Sequence, residues 1–213
     1  MRFEDVRMRL RAVLLDMDGT VFDSHLDWLE LRRSMGLRPD GRPILAQLEE
    51  ASAADRSRCL AILHAAEREG AERGELIPGA RALVDALRGH GVACVLVTNN
   101  SRESTDTVLA RHPLPFDLVM TRDDGAMKPD PEAFLLPLAR LGLRPDEAAA
   151  VGDTHLDAVA AYGAGLAEIL LVGLPEWMRS HIPTDAAYRE VADLMQARAI
   201  LESWIAADAL PDG

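Results

Sequence analysis

Five short apolar runs, at residues 12–15, 92–97, 118–120, 148–151 and 169–172, constrain this chain more than any other feature. Each is apolar throughout rather than alternating, as expected of a strand buried on both faces. Between them lie helical patterns at 80–88, 104–111, 131–141, 157–162 and 186–201. Strands and helices in alternation imply a parallel sheet with right-handed crossovers and helices on both faces. Local chemistry agrees: in "KPDPEAFLLPLARLGL", Asp130 can cap a helix, Pro131 suits its first position and Gly142 its end. Pro137 would bend or shorten that helix.

One segment breaks the alternation. Residues 23–76 carry helical pattern and no strand-like run, with "RPDGRP" reading as a turn in the middle. The expected fold class is therefore α/β, a Rossmann-like parallel sheet flanked by helices, with a small all-α cap inserted after the first strand. The expected division is a core of residues 1–22 and 77–213 and a helical cap, or lid, of residues 23–76.

Composition narrows the partners. A chain of 213 residues can bury a sizeable core, and its net charge of −12 disfavours nucleic acid or an anionic membrane as the main partner. No apolar run approaches the length of a bilayer span, and "MRFEDVRMRLR" lacks the apolar region of a secretion signal. A cytoplasmic protein is expected, its two cysteines, Cys59 and Cys94, reduced and packed. Of the 23 basic residues only Lys128 is a lysine, which singles it out as a place where a compact ammonium is required.

In an open α/β sheet the ligand sits outside the carboxyl ends of the strands. Asp16, Asp18 and Thr20 follow the first run, Thr98 and Asn99 the second, Lys128 the third, and Asp153 and Asp157 the fourth. Carboxylates, a hydroxyl, an amide and an ammonium thus converge on one edge. Asp16 and Asp153 form a site for a hard cation with oxygen ligands, best matched by Mg²⁺. Two like charges 4 Å apart cost about 4 kcal/mol at an effective dielectric of 20, so an anionic ligand needs that cation and Lys128 before it can bind.

These residues resemble the haloacid dehalogenase-like (HAD) phosphohydrolase superfamily. "DMDGT", Thr98 after an apolar strand, Lys128-Pro129 and "GDTHLD" match its four motifs in order, and the insertion resembles its small helical cap. The resemblance covers nearly the whole chain except the tail after about Ser203. It implies that Asp16 is a nucleophile forming an aspartyl-phosphate and that Asp18 shuttles the proton, its backbone carbonyl also binding metal. It further implies that Thr98 and the Asn99 backbone hold phosphoryl oxygens, that Lys128 neutralises charge and positions Asp16, and that Asp153 ligates the metal. Asp157 would support the metal from outside its ligand shell or pair with Lys128.

The activity this implies is Mg²⁺-dependent hydrolysis of a small phosphorylated metabolite, most like the phosphoglycolate phosphatase-like group. Alternatives are a sugar phosphomutase, weakened because the cap has no lysine, and a non-catalytic phospho-ligand binding protein. A receiver domain of two-component signalling would be about half this length and lack the helical insertion. Monomer and homodimer are equally open. Asp123 and Asp124 are expected in turn chemistry, with contact between Asp124 and the metal shell a lesser reading. His155 is expected in packing or at the surface. His25 is a candidate substrate contact at the hinge, while Arg32, Arg33, Arg38 and Arg42 are expected on a solvated face.

Overall fold

The computed structural model describes residues 9–208; the charged stretch at residues 1–8 and the last five residues lie outside that range. In chain order the elements are β1 (Ala12–Leu15), β2 (Phe22–Asp23), α1 (Trp28–Met35), α2 (Ile44–Glu49), α3 (Ala53–Arg73) and β3 (Glu75–Leu76). Then follow α4 (Ala80–Gly89), β4 (Ala93–Val97), α5 (Arg102–Arg111), β5 (Leu118–Met120), α6 (Glu132–Leu141) and β6 (Ala148–Gly152). The last are α7 (His155–Ala164), β7 (Glu168–Val172), β8 (Arg189–Val191) and α8 (Leu194–Asp208).

The main sheet has six parallel strands in the order β5-β4-β1-β6-β7-β8. The chain builds outward from β1 to one edge and then returns to build the other. β1 is the point where that direction reverses, with Leu15 paired to Leu96 on one side and Val151 on the other. Such a switch point opens a crevice at the strands' carboxyl ends. All four β1 residues are fully buried, as a central strand covered on both faces requires. Val13 and Leu15 face a core shared with α4 and α8, while Ala12 and Leu14 face one shared with α6 and α7.

The sequence pattern failed in two places. Residues 186–201 do not form one helix: Arg189–Val191 is an edge strand and α8 starts at Leu194. Arg189 and Glu190 are exposed and only Val191 is buried, so this edge strand offers no apolar run to recognise. Asp193 accepts from the backbone N–H of Gln196 at 2.8 Å, a capping signature that marks the true helix start. The stretch 23–76 is also not free of strand. β2 and β3 pair antiparallel at its two ends, through Phe22–Leu76 and Asp23–Glu75. Two-residue strands carry no period that sequence can show. The helix α6 runs through Pro137, which is buried.

The helices α1, α2 and α3 pack around their own small core of Met35, Ile44, Leu48, Cys59 and Leu63. α3 is fastened to the sheet side by a buried ion pair. Arg122 donates to both carboxylate oxygens of Glu67, at 2.5 and 3.0 Å. Ser104 Oγ donates to the Glu67 carbonyl, and Arg111 to the carbonyls of Ala71 and Gly74. At the other side of the insertion, His155 Nε2 lies 2.7 Å from the Gly41 carbonyl oxygen. A Cβ on Gly41, whose φ is +80°, would come within 2.6 Å of the His181 ring, so this turn closes on the core only with glycine there. No helix among the described residues is long and apolar enough to cross a membrane.

Candidate active site

The crevice at the end of β1 gathers residues from four strand ends. Asp16 directly follows β1, and its N–H donates to the Val151 carbonyl at 2.9 Å, which extends the strand pairing by one residue. Lys128 Nζ donates to Asp16 Oδ1 and to Asp157 Oδ1, each at 2.5 Å. Only 3% of Lys128 is exposed, so the ammonium is buried between two carboxylates. Asp157 Oδ2 in turn accepts from Thr154 N–H at 3.1 Å and Thr154 Oγ1 at 2.7 Å, a reciprocal cap that opens α7. Gly152 makes room for this, since a Cβ there would lie 2.3 Å from the Asp157 carboxyl carbon.

The Asn99 side chain ties the second loop to the third. Its Nδ2 donates to the Lys128 carbonyl at 2.8 Å, and its Oδ1 accepts from the Lys128 N–H at 2.9 Å. This clasp fixes the backbone that carries the ammonium. Thr98 is buried beside it, and its Oγ1 accepts from the N–H of Asn100 at 3.1 Å.

Three residues not foreseen as site residues also take part. Asn100 Nδ2 lies 3.4 Å from Asp18 Oδ2, and the Ser24 N–H donates to Asp18 Oδ1 at 3.2 Å. Arg122 donates to the Asn99 carbonyl at 3.2 Å while it holds Glu67. The doublet "NN" after β4 was the available signal for Asn100. Nothing in the sequence links Arg122 to Glu67.

The acidic cluster fits a divalent cation. One carboxylate oxygen from each of Asp16, Asp153 and Asp157 lies within 4.8 Å of the others. Asp157 already serves Lys128 and Thr154, whereas Asp153 accepts from Thr20 Oγ1 at 3.2 Å. That leaves Asp16 and Asp153 as the two side chains with oxygen lone pairs to spare, an all-oxygen donor set of the kind Mg²⁺ takes. The Asp18 side chain points elsewhere, to Ser24 and Asn100.

Burial first, and neighbouring charge next, explain the perturbed acidities. Burial pushes Asp16 up to about 7 even though Lys128 pulls it down. Asp153 rises well above the usual carboxylate range, through burial first and the charge of Asp16 next. Asp18 is also raised by burial, against the hydrogen bonds from Ser24 and Asn100. Burial alone would lower Lys128, but Asp157 and Asp16 outweigh it and hold it above its ordinary value.

The three carboxyl groups bind protons in the folded, metal-free protein at pH values where the unfolded chain has released them. They therefore withdraw stability as pH rises from about 4 to about 7. A cation that replaces those protons binds more tightly as pH rises through the same window. Mg²⁺ at a hundredfold excess over Kd is expected to add about 2.7 kcal/mol, or roughly 5–10 °C in Tm, at pH 8. A much smaller shift is expected at pH 5.5, and thermal melts with Mg²⁺ and with EDTA at the two pH values check this.

A cavity of about 430 Å³ opens above these groups. Asp16, Asp18, Thr98, Asn99, Lys128 and Asp153 line its floor, and the helical insertion supplies its roof. Among the four arginines of the insertion expected on a solvated face, Arg32 alone lines the cavity. Arg33 and Arg42 are held by Glu30, Asp40 and Glu50, and Arg38 is exposed. His25 is exposed, pairs with Asp23 at 3.1 Å and does not reach the cavity. Asp124 caps the turn after β5 through the Thr121 N–H and hydroxyl and pairs with Arg102.

Known proteins resemble this chain in sequence and in fold. The chain is 30% identical over 191 residues to hexitol phosphatase A of Escherichia coli, covering 79% of this chain and 85% of that protein. It is 29% identical over 202 residues to phosphoglycolate phosphatase of Pseudomonas putida, covering 83% and 73%. A hydrolase from Pseudomonas syringae superposes with a TM-score of 0.75 at 19% identity, over 91% of this chain and 98% of that one. Residues 10–165 match the family profile described as "Hydrolase: haloacid dehalogenase-like hydrolase". With that match across most of its length, and with the six-stranded sheet beneath it, the chain belongs to the haloacid dehalogenase-like hydrolases.

Proposed function

We propose that the protein is a phosphatase that hydrolyses a small phosphate monoester through an aspartyl-phosphate on Asp16. The observation that carries this reading is the buried contact of Lys128 with Asp16 at the floor of the cavity. The ammonium holds Oδ1 of Asp16 and leaves Oδ2 to attack phosphorus. Thr98 and the backbone of Asn99 orient the phosphoryl oxygens, and the Asn99–Lys128 clasp keeps the two loops in register.

Asp18 gives its proton to the leaving alcohol and then takes one from the water that hydrolyses the acyl phosphate. Burial favours the protonated form that the first of these steps requires. Asp16 and Asp153, with the Asp18 carbonyl, would hold Mg²⁺, which when bound neutralises charge on the phosphoryl oxygens. Residues 23–76 act as the lid that excludes water while the ester is in place. The setting is cytoplasmic, in keeping with Cys59 and Cys94 as buried free thiols.

Purified protein is expected to release phosphate from p-nitrophenyl phosphate with Mg²⁺ present. EDTA is expected to reduce the rate at least a hundredfold, and restored Mg²⁺ to recover it. A rate unchanged by EDTA, or no release with any ester, would overturn the reading.

A further inference from the structure

The cavity above Asp16 is apolar on the side away from the carboxylates, and this bears on what the leaving group is. In a chain with only 4% aromatic residues and three tryptophans, two of the three, Trp28 and Trp177, line this one cavity. They come from separate places, Trp28 from the start of α1 and Trp177 from the 3-10 turn Glu176–His181 that follows β7. Leu29 and Met178 stand beside them in the lining.

Two of these groups remain bare. Trp177 is 43% exposed and Leu29 37% exposed, and they are two of the four large hydrophobic side chains exposed among the described residues. The Trp177 ring is steadied by two histidines, edge-on to His181 at 5.8 Å and tilted against His155 at 6.3 Å. An indole that is held by its neighbours and still 43% exposed is a platform for a flat ligand.

The roof offers little to a polyol or a short acid. Its one cation, Arg32, directs its guanidinium to the Arg42 carbonyl at 3.2 Å and the Trp28 carbonyl at 3.5 Å. Leu26, Pro43, Ile44, Leu45 and Leu63 make most of the rest of that wall, with Gly41 and with Asp27, whose Oδ1 is taken by the N–H groups of Leu29 and Glu30 that it caps. A ligand rich in hydroxyls would find few replacement hydrogen bonds there for the water it loses.

The geometry points to a phosphate monoester whose alcohol carries a flat apolar ring, seated where Trp28, Leu29, Trp177 and Met178 line the cavity. This rests on the phosphatase reading and specifies its substrate class. The phosphate lies on the carboxylate and lysine floor, and the ring fills the apolar chamber above it. Trp28 and Trp177 set the specificity without touching the reacting atoms.

The test compares alkyl esters, because their alcohols are similarly poor leaving groups and intrinsic reactivity then does not decide the result. With Mg²⁺, kcat/KM for 2-phenylethyl phosphate is expected to exceed that for glycerol 3-phosphate and 2-phosphoglycolate by roughly ten- to a hundredfold, chiefly through KM. The same ratio is read in Trp177→Ala and in Trp28→Leu, the milder change because Trp28 also packs against the core of the insertion. Each is expected to cut the ratio to about threefold or less, and a ratio within one variant is insensitive to its active fraction.

Turnover of all three esters with no preference for the phenyl ester, or with 2-phosphoglycolate best, would overturn the inference and leave the phosphatase intact. A preference that survives both substitutions would overturn the assignment to this chamber. Hydrolysis of none of them, p-nitrophenyl phosphate included, would remove the phosphatase reading and this inference with it.

Discussion

Asp16→Asn is expected to lower turnover of phosphate monoesters by on the order of 10⁴-fold or more while the fold survives. The amide keeps the size of the carboxylate, and its oxygen can still accept from Lys128, whose second partner Asp157 is untouched. It cannot attack phosphorus to give an acyl phosphate. The change also removes one charge from a buried cluster in which the charge of Asp16 raises the pKa of Asp153 and that of Asp157 raises the pKa of Asp16. Metal-free Asp16→Asn is therefore expected to melt at or above the wild-type temperature at pH 8. Lost turnover with retained or improved stability separates chemistry from folding. Retention of more than a hundredth of wild-type activity would place the nucleophile elsewhere.

Lys128→Met is expected to lose activity and stability together. It leaves Asp16 and Asp157 buried without their shared cation, and removing one partner of a buried ion pair costs about 3–5 kcal/mol. The loss has a defined pH dependence. Asp16 sits at about 7 with the ammonium in place, and without it the group moves further up. Lowering the pH from 8 to 5.5 protonates the orphaned carboxylate in the folded state while the unfolded chain stays mostly ionised. The stability deficit of the variant relative to wild type should therefore shrink as pH falls. Urea denaturation at the two pH values, with EDTA present, measures it, and a deficit independent of pH would contradict the assignment. Lys128→Arg is not expected to rescue, because a guanidinium fork is too large for a space in which one nitrogen meets two carboxylates at 2.5 Å.

The central strands and the floor of the cavity were legible because their signals are local. β1 is a run of four buried residues with Asp16 immediately after it, and β6 leads as directly to Asp153. A parallel sheet brings such neighbours together without further information. Residues that depend on distant partners gave no such signal. Glu67 and Arg122 are 55 positions apart and each alone reads as a surface charge. Trp177 stands in a 3-10 turn with no period, and only the folded chain places it opposite the roof of the insertion. The edge strand β8 was hidden because its outward residues are charged, which is also what protects an edge from pairing with another chain.

Ser24 has a consequence for the order of events. It is the first residue beyond β2, where the chain leaves the sheet for the helical insertion, and its N–H is bonded to the carboxylate of Asp18. A swing of the insertion about its stem would carry that donor away, and a buried carboxylate that loses a donor holds its proton more tightly. The proton count of the floor and the position of the roof are then one variable. An open molecule would bind product or substrate with Asp18 protonated, ready for departure of an alcohol but poorly prepared to receive a proton from water. Hydrolysis of the acyl phosphate would wait for the roof to return, which is how a site exposed to water between turnovers can keep its two half-reactions in sequence.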